Sequence, residues 1–200
     1  PILRIKSGTT VEVNQNINFY VSWDHGNYKG ALQAEDVSFT LGEGDIWNGL
    51  RFRNYTEDSE TYLNNCIIEY ADNGVYCESS SPTLTNNIFR YNNDGVESDG
   101  GSSPKIFDNQ FKENIRPVMY YSHKLDSTMY GNTYEDNQKA YIELVGENYN
   151  WDDGDHIWAM DGAPYRLMNH IHVRANNNSN LFPILRIKSG TTVEVNQNIN

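Results

Sequence analysis

Between Leu63 and Ile142 the chain repeats itself about every 22 residues, a period that signals a solenoid. The segments LNNCIIEY from Leu63, LTNNIFRY from Leu84, IFDNQFKE from Ile106 and MYGNTYED from Met129 align without gaps, with steps of 21, 22 and 23 residues. The first column, Leu63, Leu84, Ile106 and Met129, is always apolar. The sixth, Ile68, Phe89, Phe111 and Tyr134, is always large. A later apolar column runs through Val75, Val96, Val118 and Tyr141. Units of this length bury an apolar face only by stacking on their neighbours.

The local period decides which solenoid this is. Val75 and Cys77, or Leu50 and Phe52, lie two apart, which is the period of a strand. A helical repeat needs apolar residues at spacings of three and four over longer runs. A leucine-rich repeat needs a regular Leu-x-x-Leu-x-Leu frame. Neither is present, and Asn, Gly, Ser and Asp punctuate every unit as turns require. The expectation is an all-β parallel β-helix with coils of about 22 residues. The fourth column, Cys66 followed by Asn87, Asn109 and Asn132, then reads as a ladder of buried amides. Stacked roughly 4.8 Å apart, such amides bond up and down the stack and satisfy turn backbone. The plainer reading is a set of unrelated surface asparagines.

Trp47-Asn48-Gly49-Leu50-Arg51-Phe52, Leu63 to Ala71, Gly74-Val75 and Ser81-Pro82 resemble the right-handed parallel β-helix repeats of the pectin-lyase-like superfamily. Ile5 to Val13, Gly30 to Ala34 and Val37 to Thr40 resemble coils that precede that block in secreted members. The resemblance implies a right-handed solenoid. It carries little about function, because this fold hosts lyases, glycosidases and inert stalks alike.

Residues 1–18, PILRIKSGTTVEVNQNIN, recur unchanged at 183–200, giving a second period of 182 residues. The chain is then a window on a tandem array of such units, or one end of it is duplicated; the array is the reading adopted. On it, residues 1–200 form a single β-helix domain. Residues 1–182 are one unit, and 183–200 begin the next, with the Leu3/Ile5 column continuing in Leu185/Ile187 and no end caps. The partners expected are further copies end to end, with glycans as the alternative, at an extracellular or cell-surface location. The net charge of −12 argues against nucleic acid, and no apolar run approaches the ~18 residues of a membrane-crossing helix.

Residues 147–164 depart from the repeat and read as a long loop. There Asp152, Asp153, Asp155 and His156 lie between Trp151 and Trp158. Acids beside tryptophans suit a sugar site, but these acids are not opposed across a cleft, and the superfamily's hydrolase motifs are missing. No catalytic residue and no obligatory cofactor is expected. Asp152, Asp153 and Asp155 could instead offer oxygens to calcium, or form a solvated loop or lateral contact. His170 and His172 share a strand face without a third ligand. Asn54 and Asn177 open glycosylation sequons. Cys66 and Cys77 both fall at inward positions, as buried thiols or as a disulfide across one coil.

Overall fold

The structure is a computed structural model that describes residues 1–23, 28–146, 150–151, 154–175 and 182–196. It is a stack of eight rungs. Rung one carries β1 (Ile2–Ile5), β2 (Thr10–Val13) and β3 (Asn18–Val21). Rung two carries β4 (Ala31–Glu35), β5 (Ser38–Leu41) and β6 (Gly49–Phe52). Rung three has β7 (Tyr62–Asn64), β8 (Ile67–Glu69) and β9 (Asn73–Cys77); rung four has β10 (Thr83–Thr85), β11 (Ile88–Arg90) and β12 (Asp94–Ser98). Rung five has β13 (Lys105–Phe107), β14 (Gln110–Lys112) and β15 (Arg116–Tyr121); rung six has β16 (Met129–Tyr130), β17 (Thr133–Glu135) and β18 (Ile142–Val145). Among the described residues, rungs seven and eight carry two strands each: β19 (Gly154–Trp158) with β20 (Tyr165–Leu167), and β21 (Pro183–Ile187) with β22 (Val193–Val195).

Corresponding strands pair in parallel and build three long faces. Sheet A runs from β1 to β16, sheet B from β2 to β17, and sheet C from β3 through β18 to β20 and β22. The strands β19 and β21 form a separate pair. This is a parallel β-helix. Leu63, Leu84, Ile106 and Met129 pair in register on sheet A, all buried. Ile68, Phe89, Phe111 and Tyr134 do so on sheet B. The rings of Phe89, Phe111 and Tyr134 stack at 5.1 and 5.3 Å with near-parallel planes.

On sheet C, Val75, Val96 and Val118 share a column, but the residue above Val118 is Ile142, not Tyr141. Met119 pairs with Glu143, so the rung is one residue longer than an even period allows. Ile142 is buried, while the Tyr141 ring lies outside under the Arg166 guanidinium, 3.6 Å from ring centre to carbon.

Each tight corner demands a residue in the left-handed region. Between sheets A and B these are Asp36, Asn65, Asn86, Asp108 and Gly131. Between B and C, Tyr70, Tyr91, Glu113 and Asp136 take the same conformation at φ of 53 to 58°. One glycine is required by contact as well as by angle. At Gly49 (φ +102°) a Cβ would lie 1.5 Å from the Asn73 carbonyl oxygen of the next rung.

The residues read as a loop over 147–164 include a strand, β19. Its alternation turns His156 and Trp158 inward, and Trp151 is also buried. Trp151 and Trp158 stack at 6.3 Å, and Trp158 meets Tyr165 at 6.1 Å. They form the core of the upper rungs. Both tryptophans are buried and are not exposed platforms.

Candidate functional site

Three features rise above ordinary solenoid packing: two polar ladders at the corners, an ionic cluster on the outside of sheet C, and the duplicated strand pair.

The first ladder lies at the corner between sheets A and B. The Cys66 backbone N–H donates to Asn87 Oδ1, Asn87 to Asn109, and Asn109 to Asn132, at 2.8 to 2.9 Å. Each amide Nδ2 donates back to the rung below, to Leu63, Leu84 and Ile106 carbonyls respectively. Asn87 and Asn109 also donate upward to the next Oδ1. The lower end is a thiol in the same role: Cys66 Sγ donates to the Ala34 carbonyl at 3.6 Å. Burial pushes this thiol's pKa up. Cys66 and Cys77 are both buried and free, so the pair is not a disulfide.

The upper end is Asp161, whose carboxylate accepts from the Asn132 N–H (3.1 Å), Asn132 Nδ2 (2.8 Å) and the Tyr134 hydroxyl (2.7 Å). A carboxylate only accepts, so it ends a ladder that an amide would carry on. Burial raises the Asp161 pKa, against the lowering effect of those donors.

A second ladder, which the column analysis missed, occupies the corner between B and C. Ala71 N–H donates to Asn92 Oδ1, Asn92 to Asn114, and Asn114 to Asn137. Asn92, Asn114 and Asn137 each return Nδ2 to a lower carbonyl, of Ile68, Phe89 and Phe111. The signal was in the sequence: each of these asparagines follows the first ladder by five residues.

On the outer face of sheet C, Arg116 grips three rungs. Its guanidinium bonds both Asp94 oxygens at 2.7 Å, Glu97 at 2.9 Å and Glu143 at 2.8 Å. Lys139 adds a 2.7 Å bond to Glu143. Burial alone would raise the Glu143 pKa, but Lys139 and Arg116 bring it below the usual carboxylate value. Burial raises Glu97 despite Arg116. All three carboxylates are bound to one cation, so the cluster braces rungs four to six and offers no free acid–base pair. Below it, Asn18, Asn48, Arg51, Asp72, Asn73 and Tyr76 line a polar recess of about 190 Å³, with Arg51 over the Tyr76 ring at 4.4 Å.

Of the acidic triplet, Asp152 and Asp153 lie outside the described residues, as does Asn177. Asp155 is exposed and pairs with Arg186 at 2.7 Å; that hydrogen bond first, then the cation's charge, lowers its pKa. Asn54 is exposed in a turn, and the sequon's Thr56 hydroxyl bonds the Val21 carbonyl at 3.2 Å. His170 and His172 are both exposed.

The duplicated segment takes the same local form twice. In both copies a turn with a left-handed glycine (Gly8 φ 78°, Gly190 φ 85°) follows the first strand. Thr9 N–H bonds Lys6 in one copy, and Thr191 N–H bonds Lys188 in the other, each at 3.2 Å. The neighbours differ. In the first copy β1 pairs with β4 and β2 with β5; in the second β21 pairs with β19 and β22 with β20.

The peptide groups used differ too. The carbonyls of Pro1, Thr9 and Val13 accept from rung two. In the second copy the Lys188 and Asn196 N–H groups and the Thr192 carbonyl serve rung seven; these are the counterparts of Lys6, Asn14 and Thr10. One copy is therefore equipped to bond on both edges at once.

Comparison with known proteins gives one match. A family described as the right handed beta helix region fits residues 48–133. No curated protein and no solved structure matches the chain. The fold is a right-handed parallel β-helix, and the matched span covers rungs three to five and the first ladder from Cys66 to Asn132, with Asn137 of the second ladder beyond it.

Proposed function

We propose that this chain is a structural unit of a β-solenoid that stacks end to end into an extracellular fibre or surface stalk. The observation that carries this reading is the duplicated strand pair. The same sequence pairs on one edge at residues 1–14 and on the other at 183–196, through alternate peptide groups. A segment that accepts a rung on each side propagates a solenoid.

The junction does not continue every column. The strand Thr10–Val13 lies on sheet B, whereas its counterpart Val193–Val195 extends sheet C. Stacking of units thus passes sheet C of one unit into sheet B of the next. The separate pair β19–β21 leads into sheet A of the next unit, and sheet C starts afresh at β3.

Seven inter-strand spacings separate rung one from its copy in rung eight, which gives an axial repeat of roughly 34 Å. Electron microscopy of the native material tests this: filaments with that spacing support the reading, and a dispersed monomer at every concentration removes it.

A second reading, glycan binding without turnover, is favoured by the polar recess around Arg51 and Tyr76. Saturable glycan binding lost in Tyr76→Ala would support it. Neither reading needs a cofactor.

A further inference from the structure

Units of a solenoid can meet by laying end faces together or by exchanging a rung. We infer exchange: residues 183–196 of one molecule take the place of residues 1–14 in a second copy. This rests on the end-to-end reading, and names the partner surface as the lower edges of β4 and β5, which face rung one.

Sequence identity supplies the first argument. Every contact that residues 1–14 make with rung two is open to residues 183–196. These include Ile2 opposite Ala31, Ile5 opposite Ala34, Val11 opposite Phe39, and the Gly8 N–H to the Asp36 carbonyl at 2.9 Å. The incoming segment gives up none of its own bonds, because rung seven uses the other set of peptide groups.

Burial supplies the second. Ile5 packs against the core in its place over Ala34, whereas its counterpart Ile187 is 50% exposed. Exchange covers Ile187 by setting it over Ala34 of the partner. The displaced rung loses what the incoming one regains, with Ile5 uncovered as Ile187 is covered, so the product differs from the reactants chiefly by the joining of two molecules. Exchange of identical elements is a low-cost route to assembly. Here each molecule donates one copy and accepts another, so the contact is head to tail and does not close.

The two copies therefore respond in opposite ways to one substitution, and the intact 200-residue chain tests this. Light scattering and microscopy would follow assembly of the wild type, Ile5→Asp and Ile187→Asp, with circular dichroism confirming the fold. The milder pair Ile5→Ser and Ile187→Ser serves if an aspartate variant fails to fold. Ile187→Asp is expected to abolish assembly, because it places a carboxylate over Ala34 of the partner. Ile5→Asp is expected to lower the assembly concentration severalfold, because it loosens the resident rung and leaves the incoming one intact.

If both substitutions block assembly equally, the ends meet by face stacking; exchange is overturned and the end-to-end reading stands. If no form assembles, the wild type included, both are overturned.

Discussion

Rungs three to six and rungs seven to eight stabilise the same kind of backbone ladder by different means. In the lower region each rung has three strands, and rungs four to six each add two asparagine corners and a stacked ring in the core. In the upper region each rung has two strands among the described residues, and a cluster of Trp151, Trp158 and Tyr165 replaces the columns. The change occurs at Asp161, where the first ladder stops. Repetition therefore gives the lower body a stability shared over neighbouring rungs. The upper rungs depend on a few large side chains, and this difference is open to experiment.

The largest effect is expected in the cores. Phe111→Ala removes the middle ring of the Phe89–Phe111–Tyr134 stack and should cost about 3–5 kcal/mol, read as a lower midpoint in urea. Trp158→Ala should cost a similar amount locally. It should release amide exchange in β19 to β22 while β7 to β15 stay protected. Equal loss of protection in both regions would show that they unfold as one unit.

Next come the ladders. Asn109→Ala leaves the Asn87 N–H and the Leu84 carbonyl without their amide partners in a buried corner. The cost is about 2–6 kcal/mol at ~1–3 kcal/mol for each unsatisfied group, measured by equilibrium unfolding. Asn137→Ala, at the half-buried upper end of the second ladder, should cost less, because water reaches the groups it abandons. A reversed order would mean that ladder ends, not interiors, hold the corners.

A smaller effect is expected at Cys66, where a thiol stands in an amide's place. Cys66→Asn should change stability by no more than about 1 kcal/mol, since the new amide can repeat the bond to the Ala34 carbonyl. Cys66→Ser, shorter in reach, should be the less stable of the two variants by thermal unfolding.

These contrasts also bear on what the sequence could disclose. The period, the apolar columns and the first ladder were legible because each repeats at one offset and one chemistry. The second ladder was equally regular, but it lies beyond the eight-residue frame used to align the units. Ile142 was mistaken for Tyr141 because one rung is longer by a residue, and only pairing fixes register. The upper rungs were illegible for a stronger reason. Identical residues, Thr10–Val13 and Thr192–Val195, lie on different sheets, so the neighbours decide their place. The loop read over 147–164 hid the strand β19, which no repeat announced and which turns Trp158 inward.

The smallest effect concerns Asp161, where the two regions join. Burial lifts its folded pKa above the ordinary value of 3.8, and its three donors only partly oppose this. Between 3.8 and the raised value, the folded chain holds more of this proton than the unfolded chain does. Stability from this group is therefore full below 3.8 and declines as pH rises through the folded pKa. Asp161→Asn removes the titration. Its Oδ1 can still accept from Asn132, and the Tyr134 hydroxyl can rotate to accept from the new amide. The difference in unfolding free energy between wild type and variant should then slope with pH above 3.8 and level off once the carboxylate is fully ionised. A flat difference across that window would show that Asp161 titrates alike in the folded and unfolded chains. The carboxylate would then end the ladder without any electrostatic cost, and the junction between the two regions would be insensitive to pH.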